Sequence, residues 1–175
     1  MSTSLIASPK SQARRALLSV LVLGLAGAVR AAPVAGVPGV VTQVLDAATV
    51  RFTPAGGGAA FVLRVRDIDP PEPCQPWGAE AKAALAALVL NKSATLVAGG
   101  RDARGRTLGA LRVDGLNVGR QMVEDGHAWS IRTRDDKGPY VKQERMAKAL
   151  GRGLHGSPGA VMPRDWRRTR GACPA

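Results

Sequence analysis

Histidine and cysteine are nearly absent from this chain of 175 residues. Its two histidines are His127 and His155, and its two cysteines are Cys74 and Cys173. They form no zinc-ligand cluster, and no Ser-His-Asp or Cys-His pair stands in a recognisable motif. The sequence therefore argues against a zinc centre and against a triad-type hydrolase.

Aromatic and acidic residues are also scarce. Phe, Trp and Tyr together make up 3% of the chain, which argues against a stacking platform for long single strands. Thirteen acidic against 25 basic residues leave a formal net charge of +12. An excess of this size favours a polyanion as partner, either nucleic acid or an anionic envelope surface.

A largely apolar run occupies Ala16 to Val29, near the N-terminus. Basic residues precede it, and small residues stand at the −3 and −1 places of a cleavage site after Ala31. The run is short for a membrane span, which needs about 17–25 residues. We therefore predict a signal peptide over 1–31, a secreted or periplasmic protein, and no stable membrane span after processing. An uncleaved anchor is the alternative.

The rest of the chain predicts a flexible lead-in over 32–38, one folded domain over 39–166 and a basic C-terminal tail over 167–175. Processing would remove four basic and no acidic residues, which lowers the net charge from +12 to +8. Alternating apolar residues predict five strands, at Gly39–Leu45, Thr49–Thr53, Ala60–Arg66, Ser93–Ala98 and Thr107–Val113. Apolar stripes predict three helices, at Ala79–Leu90, Leu116–Asp125 and Pro139–Leu150. This order predicts an α+β, mainly β fold: a five-stranded OB-fold barrel with three α-helices.

The stretch from Arg64 to Glu72 has the densest chemistry. Pro70 and Pro71 end the preceding strand, so Asp69 and Glu72 stand just past a strand end, where a rigid scaffold can present a loop to a ligand. Two carboxylates beside an arginine suit a metal-assisted attack on a phosphodiester: one binds a hard cation, one handles a proton, and the guanidinium grips phosphate oxygens. A solvated acidic turn is an equal interpretation of this stretch alone.

Three stretches, taken in order, resemble the thermonuclease (staphylococcal nuclease-like) family. Val44-Leu-Asp-Ala-Ala-Thr-Val50, Arg64-Val-Arg-Asp-Ile-Asp-Pro-Pro-Glu72 and Asp102 with Gly105-Arg106 follow the family's I-D-G-D-T-V, R-L-x-x-I-D-x-P-E and D-x-Y-G-R patterns. The resemblance covers about 37–166. It implies an OB-fold barrel with three helices and a nuclease that hydrolyses DNA and RNA phosphodiester bonds with calcium.

The resemblance also implies roles for individual residues. Arg64 and Arg106 match the family's two phosphate-binding arginines, and Glu72 matches the carboxylate proposed to activate the attacking water. Asp69 matches a calcium ligand. The backbone carbonyl of Pro70 matches a second one, because proline keeps its carbonyl oxygen.

One position departs from the family's metal site. The second aspartate of D-G-D is Ala48 here, and a methyl group cannot bind calcium, which takes about 6–8 oxygen ligands. Asp46 is a candidate substitute on the same strand face, but roughly 6.6 Å away along the strand. The alternative function is therefore a non-catalytic OB module that binds nucleic acid or another polyanion. A structural envelope protein with a decayed site is a third hypothesis.

Three more residues are candidate nucleic-acid contacts. Arg132 and Arg134 fall near the places of the family's two nucleotide-pocket tyrosines, where they would follow the phosphate backbone. A merely solvated charged loop is an equal interpretation. Trp77 is a candidate to stack on a base, with covering the barrel mouth as its alternative role.

The cysteine pair predicts a link between distant parts of the chain. In an oxidising compartment, Cys74 and Cys173 would form one disulfide that ties the loop beyond Glu72 to the C-terminal tail. Two free thiols are the alternative. We expect a monomer whose partner is nucleic acid, DNA or RNA.

Overall fold

The structure is a computed structural model that describes residues 36–173. The predicted signal peptide over 1–31 and its cleavage site lie outside the described residues. No helix within 36–173 is long and apolar enough to cross a membrane. The predicted lead-in is corrected at its end, because Val37 and Pro38 already pair with Leu96 and Thr95 in a sheet.

Five strands close into a barrel, as predicted. The strands of the described chain are β1 Val37–Asp46, β2 Thr49–Pro54, β3 Phe61–Val65, β4 Ile68–Asp69, β5 Ser93–Arg101, β6 Thr107–Val113, β7 Leu116–Asn117 and β8 Trp129–Ser130. The barrel strands pair in the order β3-β2-β1-β5-β6, and a parallel pairing of β6 with β3 closes the ring. The shorter strands β4, β7 and β8 flank the barrel, and β4 pairs with β8.

The three predicted helices are present, within one to two residues of their expected ends. They are α1 Gly78–Val89, α2 Val118–Glu124 and α3 Val141–Ala149, and a short 3₁₀ turn follows at Gly153–Gly156. Buried side chains from the barrel strands and from α1 and α2 form one core, which includes Phe52, Leu63, Leu85, Leu111 and Met122. The fold class is therefore confirmed as a mainly β OB-type barrel with helices.

A fourth helix, α4 at Pro163–Arg170, was not predicted. It crosses the predicted boundary between domain and tail, so the tail is corrected to the end of an ordered helix and a following turn. Pro163 at the first turn, Asp165 near the N-terminus and arginines in the last turn all favour a helix here. Gly171, with φ of 78°, ends it. The helix has too little apolar sequence for a periodicity argument to find it.

A tight turn after β3 places the chain that carries the acidic residues. Asp67 adopts a positive φ of 69°, which aspartate tolerates better than most residues. Its carbonyl accepts a hydrogen bond from Ile131 N at 3.0 Å, and Asp69 then pairs with Trp129 of β8. This fixes the direction in which the chain leaves the barrel toward Glu72.

Candidate functional site

One open cleft collects five of the eleven predicted site residues. Its volume is ≈ 570 Å³, and its walls come from the β1–β2 turn, β3, the loop after β4, the β5–β6 loop and the C-terminal segment. Arg64, Glu72, Arg106 and Asp46 therefore meet although they are separated in sequence. The full lining is Asp46, Arg64, Glu72, Pro73, Asp102, Ala103, Arg104, Arg106, Arg167, Ala172 and Cys173.

Arg64 reaches the cleft from a central strand of the barrel. It pairs with Thr49 of β2 on one side and Leu108 of β6 on the other. Its neighbours Leu63 and Val65 are buried in the core, so Arg64 lies on the opposite face of β3. Within residues 36–173 its side chain forms no ion pair. Its guanidinium is therefore available to an anionic ligand.

Arg106 is held in place by Asp102 of the same loop. Oδ1 of Asp102 accepts hydrogen bonds from the backbone N–H groups of Arg104 and Arg106, both at 2.9 Å. Its Oδ2 accepts a hydrogen bond from Nε of Arg106 at 2.7 Å. Burial pushes the pKa of Asp102 up, but the hydrogen bonds from Arg106 and Arg104 together outweigh it and lower that pKa. The contact uses Nε, so the two terminal nitrogens of Arg106 can still form a fork to phosphate.

Glu72 is anchored through the buried side chain of Gln75. The backbone N–H of Glu72 donates a hydrogen bond to Oε1 of Gln75 at 3.1 Å. The Glu72 carbonyl accepts a hydrogen bond from the backbone N–H of Gln75 at 2.9 Å. Nε2 of Gln75 in turn donates to the Val161 carbonyl at 2.6 Å. The Glu72 carboxylate accepts a hydrogen bond from Nη1 of Arg167 on α4. The sequence motif predicted Glu72 as a site residue, but no motif predicted that Gln75 or Arg167 would contact it.

Asp69 precedes Glu72 by three residues and is not among the residues that line this cleft. Burial raises its pKa; the positive charges of Arg167 and Arg64 oppose the rise, and the negative charge of Glu72 adds to it. Pro70, whose carbonyl is the other predicted metal ligand, is buried. The structure thus places Asp69 within the electrostatic reach of the site residues.

The side chains present do not fit a calcium ion. Ala48 is fully buried in the core. Its backbone N–H donates a hydrogen bond to Oδ1 of Asp46 at 2.8 Å, and this contact occupies that carboxylate oxygen in closing the β1–β2 turn. Within 36–173 no group of three or more His, Cys, Asp and Glu residues is arranged to hold a metal. Calcium needs more oxygen ligands than Asp69 and one carbonyl supply.

Arg132 forms a buried ion pair within the domain and does not line the cleft. Its Nη2 donates to Oε1 of Glu144, which is 2% exposed. Nζ of Lys148 lies 2.5 Å from the same oxygen, and Ser130 N donates to the other at 3.1 Å. A buried carboxylate requires such partners, so the guanidinium is committed to the fold. Arg134 is exposed and lies outside the cleft lining, and its role stays a prediction.

Trp77 lies apart from the arginine-lined cleft, and its stacking on a base stays a prediction. Its Nε1 donates to Nδ1 of His127 at 3.2 Å, and the two rings stack with centroids 6.2 Å apart. It lines a smaller cavity of ≈ 140 Å³ together with Trp129 and Trp166, not the arginine-lined cleft. The indole therefore packs against His127 within the domain.

Cys74 and Cys173 form a disulfide whose Cα atoms are 5.6 Å apart. The bond joins the loop just beyond Glu72 to the segment after α4, and Cys173 itself lines the cleft. The predicted pairing already implied that the C-terminus lies near Glu72. It did not reveal which side chain of that segment would enter the cleft.

The sequence profile of the family described as Staphylococcal nuclease homologue matches residues 62–156, more than half of the chain. The chain belongs to this family. The match covers Arg64, Asp69, Glu72 and Arg106, which agrees with the barrel and with the cleft on its surface.

Individual nuclease homologues give the same result. A probable staphylococcal-like nuclease of Oryza sativa subsp. japonica is 39% identical over 108 residues, which are 62% of this chain and 29% of the rice protein. An uncharacterized endonuclease of Haemophilus influenzae is 31% identical over 112 residues, 64% of this chain and 63% of that protein. An uncharacterized endonuclease of Escherichia coli O157:H7 is 32% identical over 137 residues, 78% of this chain and 88% of that protein. The chain thus spans under a third of the rice nuclease.

Proposed function

We propose that this staphylococcal nuclease homologue hydrolyses phosphodiester bonds of DNA or RNA in the arginine-lined cleft. The observation that carries the proposal is the convergence of Arg64, Arg106 and Glu72 from three separate segments on one cleft. Two guanidiniums suit a phosphate, and a carboxylate beside them suits the activation of water. The net charge of +12 suits a polyanionic substrate.

Each residue has a defined task in this reaction. Arg64 and Arg106 bind the non-bridging oxygens of the scissile phosphate and stabilise the charge that grows on them in the transition state. Glu72 accepts a proton from a water molecule whose oxygen attacks phosphorus. The bond from phosphorus to the leaving sugar oxygen breaks, and that oxygen takes up a proton from solvent. Asp102 contributes by orienting Arg106.

The proposal includes secretion or a periplasmic location. Location is supported by the signal-like residues 1–31 and by the Cys74–Cys173 disulfide, because disulfides persist in oxidising compartments. The family resemblance and Asp69 favour calcium, but the side chains present do not fit the ion. Because Ala48 supplies no ligand, we derive no reaction step through calcium.

The second candidate function is a module that binds nucleic acid without cleaving it. Two observations favour it: position 48 is a buried alanine, and the Glu72 carboxylate is paired with Arg167. Both weaken hydrolysis but leave the phosphate-binding arginines in place. Tight binding without cleavage, at any calcium concentration, would identify such a module.

The test compares cleavage of denatured DNA by the parent protein with cleavage by Glu72→Gln. Both are measured with calcium added and with a chelator. We expect the parent to cleave and Glu72→Gln to lose about 10²–10⁴-fold in rate, the usual contribution of a general base. Glu80→Gln, on the exposed side of α1, is the matched control and should keep the parent rate. A parent that binds DNA but does not cleave it under either condition would refute hydrolysis.

A further inference from the structure

Helix α4 packs at the edge of the cleft, although most of its residues are charged or polar. The Gln75 side chain holds the Val161 carbonyl just before the helix, and Pro163 at the first turn is buried. Trp166 lines the apolar cavity that Trp77 also lines. The disulfide secures the segment after the helix. Contacts before, within and after α4 therefore fix its orientation.

In this orientation, the side chain of one arginine of α4, Arg167, lies in the cleft. Arg167 lines the cleft with Arg64 and Arg106, and its Nη1 donates to the Glu72 carboxylate. Arg168 is 77% exposed and lies 3.5 Å from Asp165. The guanidinium of Arg170 lies over the Trp166 ring, 5.5 Å from its centroid. Arg167 and Arg168 are thus adjacent residues of equal charge in different surroundings.

The bond between Arg167 and Glu72 is of a kind that a ligand can displace. The Arg167 side chain is 46% exposed, and ion pairs in contact with water contribute little to stability. A phosphate group offers several charged oxygens to a guanidinium, in a geometry that fits it at least as well as a carboxylate does. An incoming nucleic-acid strand can therefore compete with Glu72 for Arg167.

We propose that Arg167 is a third phosphate-binding arginine of this site, and that it exchanges Glu72 for a phosphate of the bound strand. Without a strand, Glu72 neutralises Arg167. When a strand binds, Arg167 turns to the phosphate and both oxygens of Glu72 face the cleft. This inference rests on the proposed nucleic-acid substrate and adds a substrate contact outside the family-profile match at residues 62–156.

The disulfide gives this contact its geometry. Cys74 follows Glu72 by two residues, and Cys173 follows Arg167 by six, so the bond joins the two chain segments that carry the ion pair. Opening it leaves every charge in place but releases the end of α4 from the loop. The contribution of Arg167 to binding therefore depends on the disulfide.

The test measures binding of a short fluorescent oligothymidylate in the presence of a chelator, as a function of salt concentration. We expect Arg167→Gln to weaken binding and to reduce the slope of log K against log salt by about 0.7, the loss of one phosphate contact on a single strand. Arg168→Gln removes the same charge from the same helix and should change the slope much less. Arg167→Lys should keep the slope, because it keeps the charge.

The cysteine pair provides a second test that changes no charge. The double variant Cys74→Ser/Cys173→Ser should bind more weakly than the parent, and adding Arg167→Gln to it should cost less than in the parent. Equal slope losses in Arg167→Gln and Arg168→Gln would overturn the contact. Tighter binding by Arg167→Gln would show that Arg167 blocks the cleft. Cleavage is measured separately, so a parent that binds but does not cleave refutes hydrolysis and not this inference.

Discussion

Arg106 donates through Nε to Oδ2 of Asp102 at 2.7 Å, and the loop between β5 and β6 is built around this contact. The second Asp102 oxygen accepts two backbone N–H groups of the same loop, so one carboxylate sets both the loop and the arginine. A guanidinium held in this way is oriented before the substrate arrives. Preorganised donors of this kind stabilise transition-state charge without a reorganisation cost.

We therefore predict that Arg106→Lys lowers kcat by about 10²–10³-fold, the usual effect of removing one such donor. The single ammonium nitrogen of lysine cannot donate to Asp102 as Nε of Arg106 does and also offer two parallel donors to a phosphate. Steady-state cleavage of denatured DNA measures the effect. Arg101→Lys, an exposed change in the same loop region, is the control and should keep the parent kcat. A parent-like kcat in Arg106→Lys would contradict this role.

Position 48 offers a test of the metal prediction that does not depend on activity. Ala48→Asp places a carboxylate in the core beside the cleft, and we expect a loss of about 3 kcal/mol in the free energy of unfolding without calcium. If Asp69 and the new carboxylate can share an ion, calcium should raise the Tm of this variant more than that of the parent.

Thermal unfolding with calcium and with a chelator makes this measurement. Ala48→Asn is the matched control, since it has nearly the same shape but no charge, and its Tm should respond to calcium as the parent's does. If calcium does not raise the Tm of Ala48→Asp either, a carboxylate at position 48 is not enough to create a calcium site.

The buried Glu144 predicts a dependence of stability on pH. Burial acts to raise the pKa of Glu144, but Arg132 and Lys148 together outweigh it and hold that pKa below its ordinary value of 4.5. The carboxylate therefore contributes its full stabilisation above about pH 4.5 and loses it as the pH falls through the lower folded value.

Glu144→Gln should accordingly lower the free energy of unfolding at neutral pH by about 3 kcal/mol, and its stability should fall less steeply in acid than the parent's. Denaturant unfolding from neutral to acidic pH checks both statements. Glu124→Gln removes a carboxylate from the more exposed pair with Arg120 and should change stability by less than about 1 kcal/mol. Equal effects of the two substitutions would contradict the structural role of Glu144.

Removal of the disulfide should lower stability. Cys74→Ser/Cys173→Ser opens a link between residues 99 apart in sequence, and a loss of about 2–4 kcal/mol is expected from the added freedom of the unfolded chain. Urea unfolding of the variant and of the parent, without reductant, gives the difference. An unchanged midpoint would contradict this stabilisation, and thiol labelling of the denatured parent would then show whether the bond has formed.

The sequence by itself determined the barrel and most of the cleft. Alternating strands and the apolar stripe of α1 are local patterns, so they predicted the elements closely. The motif spacing around Arg64, Glu72 and Arg106 identified residues that the closed barrel then brought together. Ala48 was also evident from the sequence, because a methyl group offers no oxygen in any fold.

Only the tertiary structure decided the partners of the remaining charges. Arg132 and Arg167 are both arginines outside a recognised motif, yet one neutralises buried Glu144 and the other enters the cleft beside Glu72. Trp77 packs on His127, fifty residues away. Such pairings join chain segments that come together only when the domain folds. Local periodicity cannot encode them, because the identity of a side chain does not specify which distant group it will meet.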